Sequence, residues 1–323
     1  MTKVKDFLGP YRLVRLIRMG NSAQVWEAVE TQTNKRFALK VLRDDCRDQK
    51  DEVGFLKNEF QIGCTLNHPN VIKIHDMILE KRLPPFLVLE LFSELNIKQA
   101  LRRGPDSIAF MLDKIIEHCS EGLYYLHSQG WVHCDVKPDN FLVSRSGEVK
   151  LIDFTIAQKI KSGLARLFSG KTKNISGTRS YMSPEQIRGK ALGPRSDIYS
   201  FGCVLYELVT GKPPFTGSSP NELLNKHLTA QVPSPLVVNE NVTQDFAAVI
   251  RNAMAKKPED RPESMWDLLK ILRATKIFKK PPRIPEVSIF DDLPTAGRVH
   301  NQEVVSEMVP QKNSEQKSEI EGR

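Results

Sequence analysis

The chain has 323 residues, 40% of them hydrophobic and 27% charged, a globular composition able to bury a core without disulfide or metal staples. The formal net charge is +8, yet no long basic run or nucleic-acid motif concentrates it, so nucleic acid is not expected as a partner. Five scattered cysteines (Cys46, Cys64, Cys119, Cys134 and Cys203), never in a Cys-x-x-Cys pair, argue against a disulfide framework or a zinc site and for a reducing, cytoplasmic setting. No apolar stretch approaches the ~20 residues that span a bilayer, and the first residues, MTKVKDFLGPYRLV, lack the apolar core of a secretion signal.

Residues 1–10 read as an N-terminal extension. Three strands are then predicted at Tyr11–Ile17, Ala23–Val29 and Arg36–Leu42, the first two joined by a turn at Gly20-Asn21-Ser22. Residues 50–66 turn helical, with Val53, Leu56, Phe60 and Gly63 at three-to-four spacing, and His68-Pro69-Asn70 stops the run. Val71–Leu79 and Phe86–Leu91 return to strand character around Pro84-Pro85. Beyond Leu91 the period changes. Ile108–His127 reads as a long amphipathic helix whose apolar side carries Met111, Leu112, Ile115, Ile116, Cys119, Leu123 and Leu126. A small hairpin follows (Phe141–Ser144, Val149–Ile152), then helices at Asp197–Thr210, Asn221–Leu228, Thr243–Ala255 and Ser264–Leu272. A strand-rich front of about 11–91 and a helix-rich back of about 96–275 imply an α+β chain of two lobes. The Lys-, Glu-, Gln- and Ser-rich residues 276–323 have too few apolar side chains to pack and read as a flexible tail.

The chemistry concentrates in His133-Cys134-Asp135-Val136-Lys137-Pro138-Asp139-Asn140, followed by Asp153-Phe154-Thr155. Phosphoryl transfer from ATP needs a carboxylate to orient and deprotonate the attacking hydroxyl, a cation for the moving phosphoryl group, and oxygen ligands for magnesium. Asp135, Lys137, Asn140 and Asp153 offer these groups in order, on loops bracketing the hairpin. Taken singly, each is an ordinary turn-forming residue; the ordered set carries the argument.

That set resembles the protein-kinase family, and the resemblance extends over residues 11–275. It implies a bilobal kinase-like fold, with an antiparallel N-lobe sheet plus one main helix and a mostly helical C-lobe. By the same resemblance Asp135 is the catalytic base, Lys137 the cation beside the γ-phosphate, and Asn140 and Asp153 the ligands of Mg2+, or of Mn2+ in its place. Lys137, two residues after Asp135, looks like the Ser/Thr branch. Ala38-Leu39-Lys40-Val41 resembles the strand motif whose lysine meets the α- and β-phosphates, and Glu59, nine residues before His68, is its expected partner in preference to Glu52. Leu87–Phe92 looks like the connector that pairs with adenine, through the backbone of Glu90 and Phe92, with Leu89 at the back of the pocket. Ala38 and Leu142 would sandwich the base, and Ile17, Gly20 and Val25 would roof the nucleotide. Gly177–Glu185 resembles the end of the activation segment, with Glu185 paired to Arg261, Asp197 bracing the catalytic loop and Thr178 supporting Asp135 and Lys137. Protein Ser/Thr hydroxyls and ATP are then the expected partners. A pseudokinase, a nucleotide-binding or scaffold module on the same fold, is the alternative.

Four positions depart from the family pattern. Arg18-Met19-Gly20-Asn21-Ser22-Ala23-Gln24-Val25 keeps only the middle glycine of the glycine-rich loop. Cys134 stands where an arginine usually receives an activation-loop phosphate, which implies weak dependence on phosphorylation of that loop, including at Thr172. Thr155 replaces a glycine, and a β-branched residue resists positive φ, so the backbone there is expected to flip less readily. Gly63 lies one turn after Glu59, where a large side chain is usual, and the gap is expected to leave the helix mobile. Small residues there, with the stretch from Thr210 to Pro233, look like the bacterial-type branch.

Overall fold

The computed structural model describes residues 7–160, 178–286 and 288–291. Strands β1 (Phe7–Leu8), β2 (Tyr11–Met19), β3 (Ala23–Glu30), β4 (Arg36–Leu42), β5 (Ile74–Ile78) and β6 (Phe86–Glu90) form one antiparallel sheet in the order β1-β2-β3-β4-β6-β5. The β2–β3 hairpin closes with the Gly20 amide donating to the Ala23 carbonyl at 2.8 Å. A Cβ on Gly20 would lie 2.8 Å from that same oxygen, so close approach is what demands glycine here.

Register decides what each face of the sheet does. Val25 lies opposite Lys40, and Ala38 opposite Leu89; opposed residues, like residues two apart, share a face. Val25, Ala38, Lys40 and Leu89 therefore line one side. The other side packs Ala28, Leu39, Val41, Phe86 and Val88 with Leu8 and Tyr11 into the core of the lobe. The strand at residues 7–8 thus belongs to the sheet rather than to a loose extension.

Helix α1 (Lys50–Gly63) buries Leu56, Glu59, Ile62 and Gly63. It stops three residues earlier than predicted and turns a different face inward, since Val53 and Phe60 are only half-buried. The expected gap at Gly63 is also corrected. A Cβ there would meet Ile74 Cδ1 at 2.2 Å, so the fully buried Ile74 of β5 fills the space beneath the helix.

The second lobe is mostly helical: α2 (Ile97–Ala100), α3 (Leu112–Ser128), α4 (Pro184–Ile187), α5 (Pro194–Thr210), α6 (Pro220–Thr229), α7 (Gln244–Ala253) and α8 (Met265–Ala274). Ser219, Thr243 and Ser264 accept hydrogen bonds from the first turns of α6, α7 and α8, and proline opens α4, α5 and α6. In α5 every residue from Ser196 to Thr210 is buried, and Gly211, at φ +77°, ends it. The seven predicted apolar positions of the long helix are all buried, but α3 begins at Leu112, because two 3-10 turns occupy 105–107 and 109–111 and Ile108 leaves helical geometry at φ −127°. Five short strands complete two small sheets: β7 (Leu95–Asn96), β8 (Trp131–Val132), β9 (Phe141–Val143), β10 (Val149–Leu151) and β11 (Gln158–Lys159), ordered β10-β9-β7 and β11-β8.

The tail does not begin at 276. Ile277, Phe278, Ile289 and Phe290 are buried, Phe278 bridges to Val242, and Arg145 donates to the Phe290 carbonyl and pairs with Asp291 at 2.6 Å.

Candidate active site

Strand β4 presents Lys40 toward α1, where Nζ donates to Glu59 Oε2 at 2.6 Å and reaches Asp153 Oδ1 at 3.3 Å. Glu52 makes no such contact, so Glu59 is the partner. Burial alone would lower the Lys40 ammonium, but Asp153 and Glu59 outweigh it and hold it well above the ordinary lysine range. Burial pushes the Asp153 carboxyl up; Lys40 and the Thr155 hydroxyl more than reverse this and hold it below the usual carboxylate range. Both groups are charged at neutral pH.

A second cluster forms around the loop after β8. Asp135 accepts from Lys137 Nζ at 2.5 Å through Oδ2 and from the Thr178 amide at 2.9 Å through Oδ1. Lys137 also donates to Thr178 Oγ1 at 2.8 Å. The Asn140 amide nitrogen donates to the Asp135 carbonyl at 2.8 Å, which directs the amide oxygen the other way. The two clusters abut, because the Asn140 carbonyl accepts from the amide of Ile152, the residue before Asp153.

The loop is held from below. Asp197, at the start of α5, accepts from the His133 amide at 2.7 Å, the Cys134 amide at 2.9 Å and His127 Nε2 at 2.8 Å. These bonds secure Cys134 at φ +67°, an uncommon backbone for a non-glycine residue. Gln186 Nε2 donates to the Cys134 carbonyl at 2.8 Å. The Cys134 thiol is buried, and burial raises its pKa well above the ordinary thiol value. Glu185 and Arg261 form the expected pair, bidentate at 2.8 and 2.9 Å, and Arg261 also donates to the Ala255, Arg195 and Lys256 carbonyls. Breaking one side of such a buried pair costs about 3–5 kcal/mol.

The residues expected to face a nucleotide fall on adjoining elements. Ile17 is the bulged residue of β2 between the Leu16–Trp26 and Arg18–Val25 pairs. Gly20 closes the β2–β3 turn, Val25 and Ala38 share the Lys40 face, and Leu142 of β9 pairs with Asn96. The Glu90 carboxylate accepts from Lys150 Nζ at 2.9 Å and from the Lys73 amide at 2.7 Å, and half-buried Phe92 follows on the connector.

Some functional contacts left no mark in the sequence. Within the Lys40–Glu59–Asp153 cluster the positive φ belongs to Asp153, at +70°, and Thr155 stays out of that region, as a β-branched residue should. The Thr155 hydroxyl lies 2.5 Å from Asp153 Oδ1 and 3.2 Å from Glu59 Oε2. Buried Glu27 pairs with both Arg15 and Arg36, and Arg15 reaches Ser93 on the connector. Buried Glu207 ties Tyr181 to Lys98. Thr172, with Ser162, Ser169 and Ser176 and the basic residues between them, lies outside the described residues.

A family model, protein kinase domain, matches residues 11–275. The chain belongs to the protein kinase family. Three curated kinases similar to it are bacterial, in line with the branch that the resemblance implied. Serine/threonine-protein kinase PknB of Mycobacterium tuberculosis is 33% identical over 89% of this chain and 46% of its own length. Serine/threonine-protein kinase PknA of the same organism is 34% identical over 85% of this chain and 63% of its own length. A probable serine/threonine-protein kinase of Streptomyces coelicolor is 32% identical over 79% of this chain and 38% of its own length. The kinase chain thus spans about half the length of the curated relatives it matches. Among its described residues no helix is long and apolar enough to cross a membrane.

The kinase family uses ATP with Mg2+, and the donor set fits that pair. Asp153 is an ionised carboxylate and Asn140 offers an amide oxygen, both hard ligands suited to a hard cation. Lys40 is a fixed positive charge of the kind that suits a phosphate group.

Proposed function

We propose that this chain is a Ser/Thr protein kinase, transferring the γ-phosphate of ATP to Ser or Thr hydroxyls of proteins. The observation that carries the proposal is the union of the Lys40–Glu59–Asp153 and Asp135–Lys137–Thr178 clusters through the Asn140–Ile152 backbone bond. A module that only binds or scaffolds has no chemical need for all of these groups.

In this reading Lys40 steadies the α- and β-phosphates, with Glu59 fixing the direction of its ammonium. Asn140 and Asp153 hold Mg2+, which when bound offsets phosphate charge and makes the γ-phosphoryl group easier to move. Asp135 orients the acceptor hydroxyl and takes its proton as the new O–P bond forms and the bond to ADP breaks. Lys137, shared between Asp135 and Thr178, faces the moving phosphoryl group. Ala38 and Leu142 enclose adenine, the Glu90 and Phe92 backbone pairs with its edge, and Ile17, Gly20 and Val25 cover the phosphates. Five free thiols and the need for ATP suit a reducing, ATP-rich cytoplasm.

The test is incorporation of labelled phosphate from Mg·ATP by the wild-type chain beside Lys40→Met and Asp135→Asn. Loss of the base is expected to lower the rate about 10²–10⁴-fold while a non-hydrolysable ATP analogue still binds Asp135→Asn. Equal incorporation in all three proteins would overturn the proposal, and analogue binding without transfer by the wild type would leave only the scaffold role.

A further inference from the structure

Thr155 occupies the place where the family pattern has a glycine, and its side chain enters the centre of the ion cluster. Oγ1 is 2.5 Å from Asp153 Oδ1, 3.2 Å from Glu59 Oε2 and 3.4 Å from Lys40 Nζ. Its main chain is gripped from the same helix: Asn58 Nδ2 donates to the Thr155 carbonyl at 2.9 Å, with Phe154 O at 3.5 Å and Ala157 O at 3.3 Å. Adjacent α1 residues therefore hold one residue at both ends, Asn58 directly at the carbonyl and Glu59 through Lys40, whose ammonium donates to both the Glu59 carboxylate and the Thr155 hydroxyl.

We infer that the Thr155 hydroxyl is a positioning group that locks α1 and Asp153 together in the arrangement needed for phosphoryl transfer. This inference rests on the kinase reading above. A hydroxyl has one proton and two lone pairs. The shortest contact assigns the proton to Asp153 Oδ1, and a lone pair faces the Lys40 ammonium. Asp153 is thereby fixed through Oδ1, leaving Oδ2 for a cation. The bond is local, spanning two residues, and holds an Asp whose φ of +70° is sparsely populated without such support. A glycine here would supply none of these bonds. Cys134 is a buried thiol and offers no charged docking group to a loop phosphate. The Thr155 contacts hold the cluster from inside.

The test compares Thr155→Val, which keeps the branched shape and loses the hydroxyl, with Thr155→Ser, which keeps the hydroxyl. The first readout is hydrogen exchange in the nucleotide-free, full-length protein, over residues 153–157 and along α1. The second is the Mg2+ concentration for half-maximal binding of a non-hydrolysable ATP analogue. Removing a hydrogen bond to a charged group is expected to raise both local exchange and the Mg2+ requirement of Thr155→Val about tenfold or more, with Thr155→Ser close to wild type. A Val variant indistinguishable from wild type would overturn the inference, as would a Ser variant loosened as much as Val, since bulk rather than the hydroxyl would then matter. If Thr155→Val fails to fold, Thr155→Ala against Thr155→Ser gives the same contrast. The exchange readout needs no catalysis, so a wild type no more active than Asp135→Asn would sink the kinase reading while leaving the Thr155 contacts separately tested.

Discussion

A Cβ placed on Gly63 would sit 2.2 Å from Ile74 Cδ1 and 2.7 Å from its Cγ1, both inside van der Waals contact. Gly63→Ala should therefore destabilise the protein by about 1–3 kcal/mol through overpacking, although alanine is the better helix former. Pairing it with Ile74→Ala removes both offending atoms, and the double variant should lose less than the sum of the two single losses in denaturant unfolding. Strict additivity would contradict the steric account. Gly63 was visible in the sequence, but its meaning was not, because the atom that fills its space lies eleven residues on, across a turn. Thr155 is a similar case. Motif reading recognised a missing glycine, whereas only the assembled cluster shows where the hydroxyl goes. That Asp135, Asn140 and Asp153 would lie together was legible because phosphoryl transfer asks for those residue types in one place, and the Lys40–Glu59 pair was legible through the family resemblance.

Between elements, His227 shows what packing does to an ionisable group. Its ring is fully buried on α6, hydrogen-bonded to the Tyr199 hydroxyl of α5 at 3.0 Å and stacked edge-on to Phe215, with Lys256 donating to its carbonyl at 3.0 Å. Burial, then the Lys256 charge, lower its pKa from 6.5 to about 4. An unfolded chain takes up this proton near 6.5, so between about 6.5 and 4 the unfolded state binds more protons than the folded one. The contribution is complete above that window and is lost as pH falls through it, on the order of 3 kcal/mol in all. Urea unfolding at pH 7, 5.5 and 4 should show a steeper acid loss for wild type than for His227→Gln; parallel curves would exclude this residue as the source. Strands and helices with a long apolar period were readable in advance, because period alone marks their buried face. The two-residue strands β1, β7, β8 and β11 were not, since two residues carry no period and exist only through their partners.

For the whole molecule, composition misjudged residues 276–291. Their polar average conceals four apolar anchors, and averaging over a segment hides single residues that find a preformed seat. Ile277, Phe278, Ile289 and Phe290 are 4, 8, 7 and 1% exposed, and full burial of such side chains contributes about 1.5–3 kcal/mol each. A chain ending at Thr275 should therefore unfold at a lower temperature than one ending at Asp291, with a stability loss of at least about 3 kcal/mol; identical melting would show that the segment adds nothing. The two-lobed plan was legible because the change from strand to helix period falls at the connector. Ile74, seated beside Gly63, also imposes an order on evolutionary change. A lineage that enlarged position 63 first would pass through a clashing ancestor, whereas shortening residue 74 first opens a cavity that a later, larger residue 63 refills. The permissive path runs through position 74, so an alignment of relatives should show these two sites changing as a pair; independent variation would contradict the steric account.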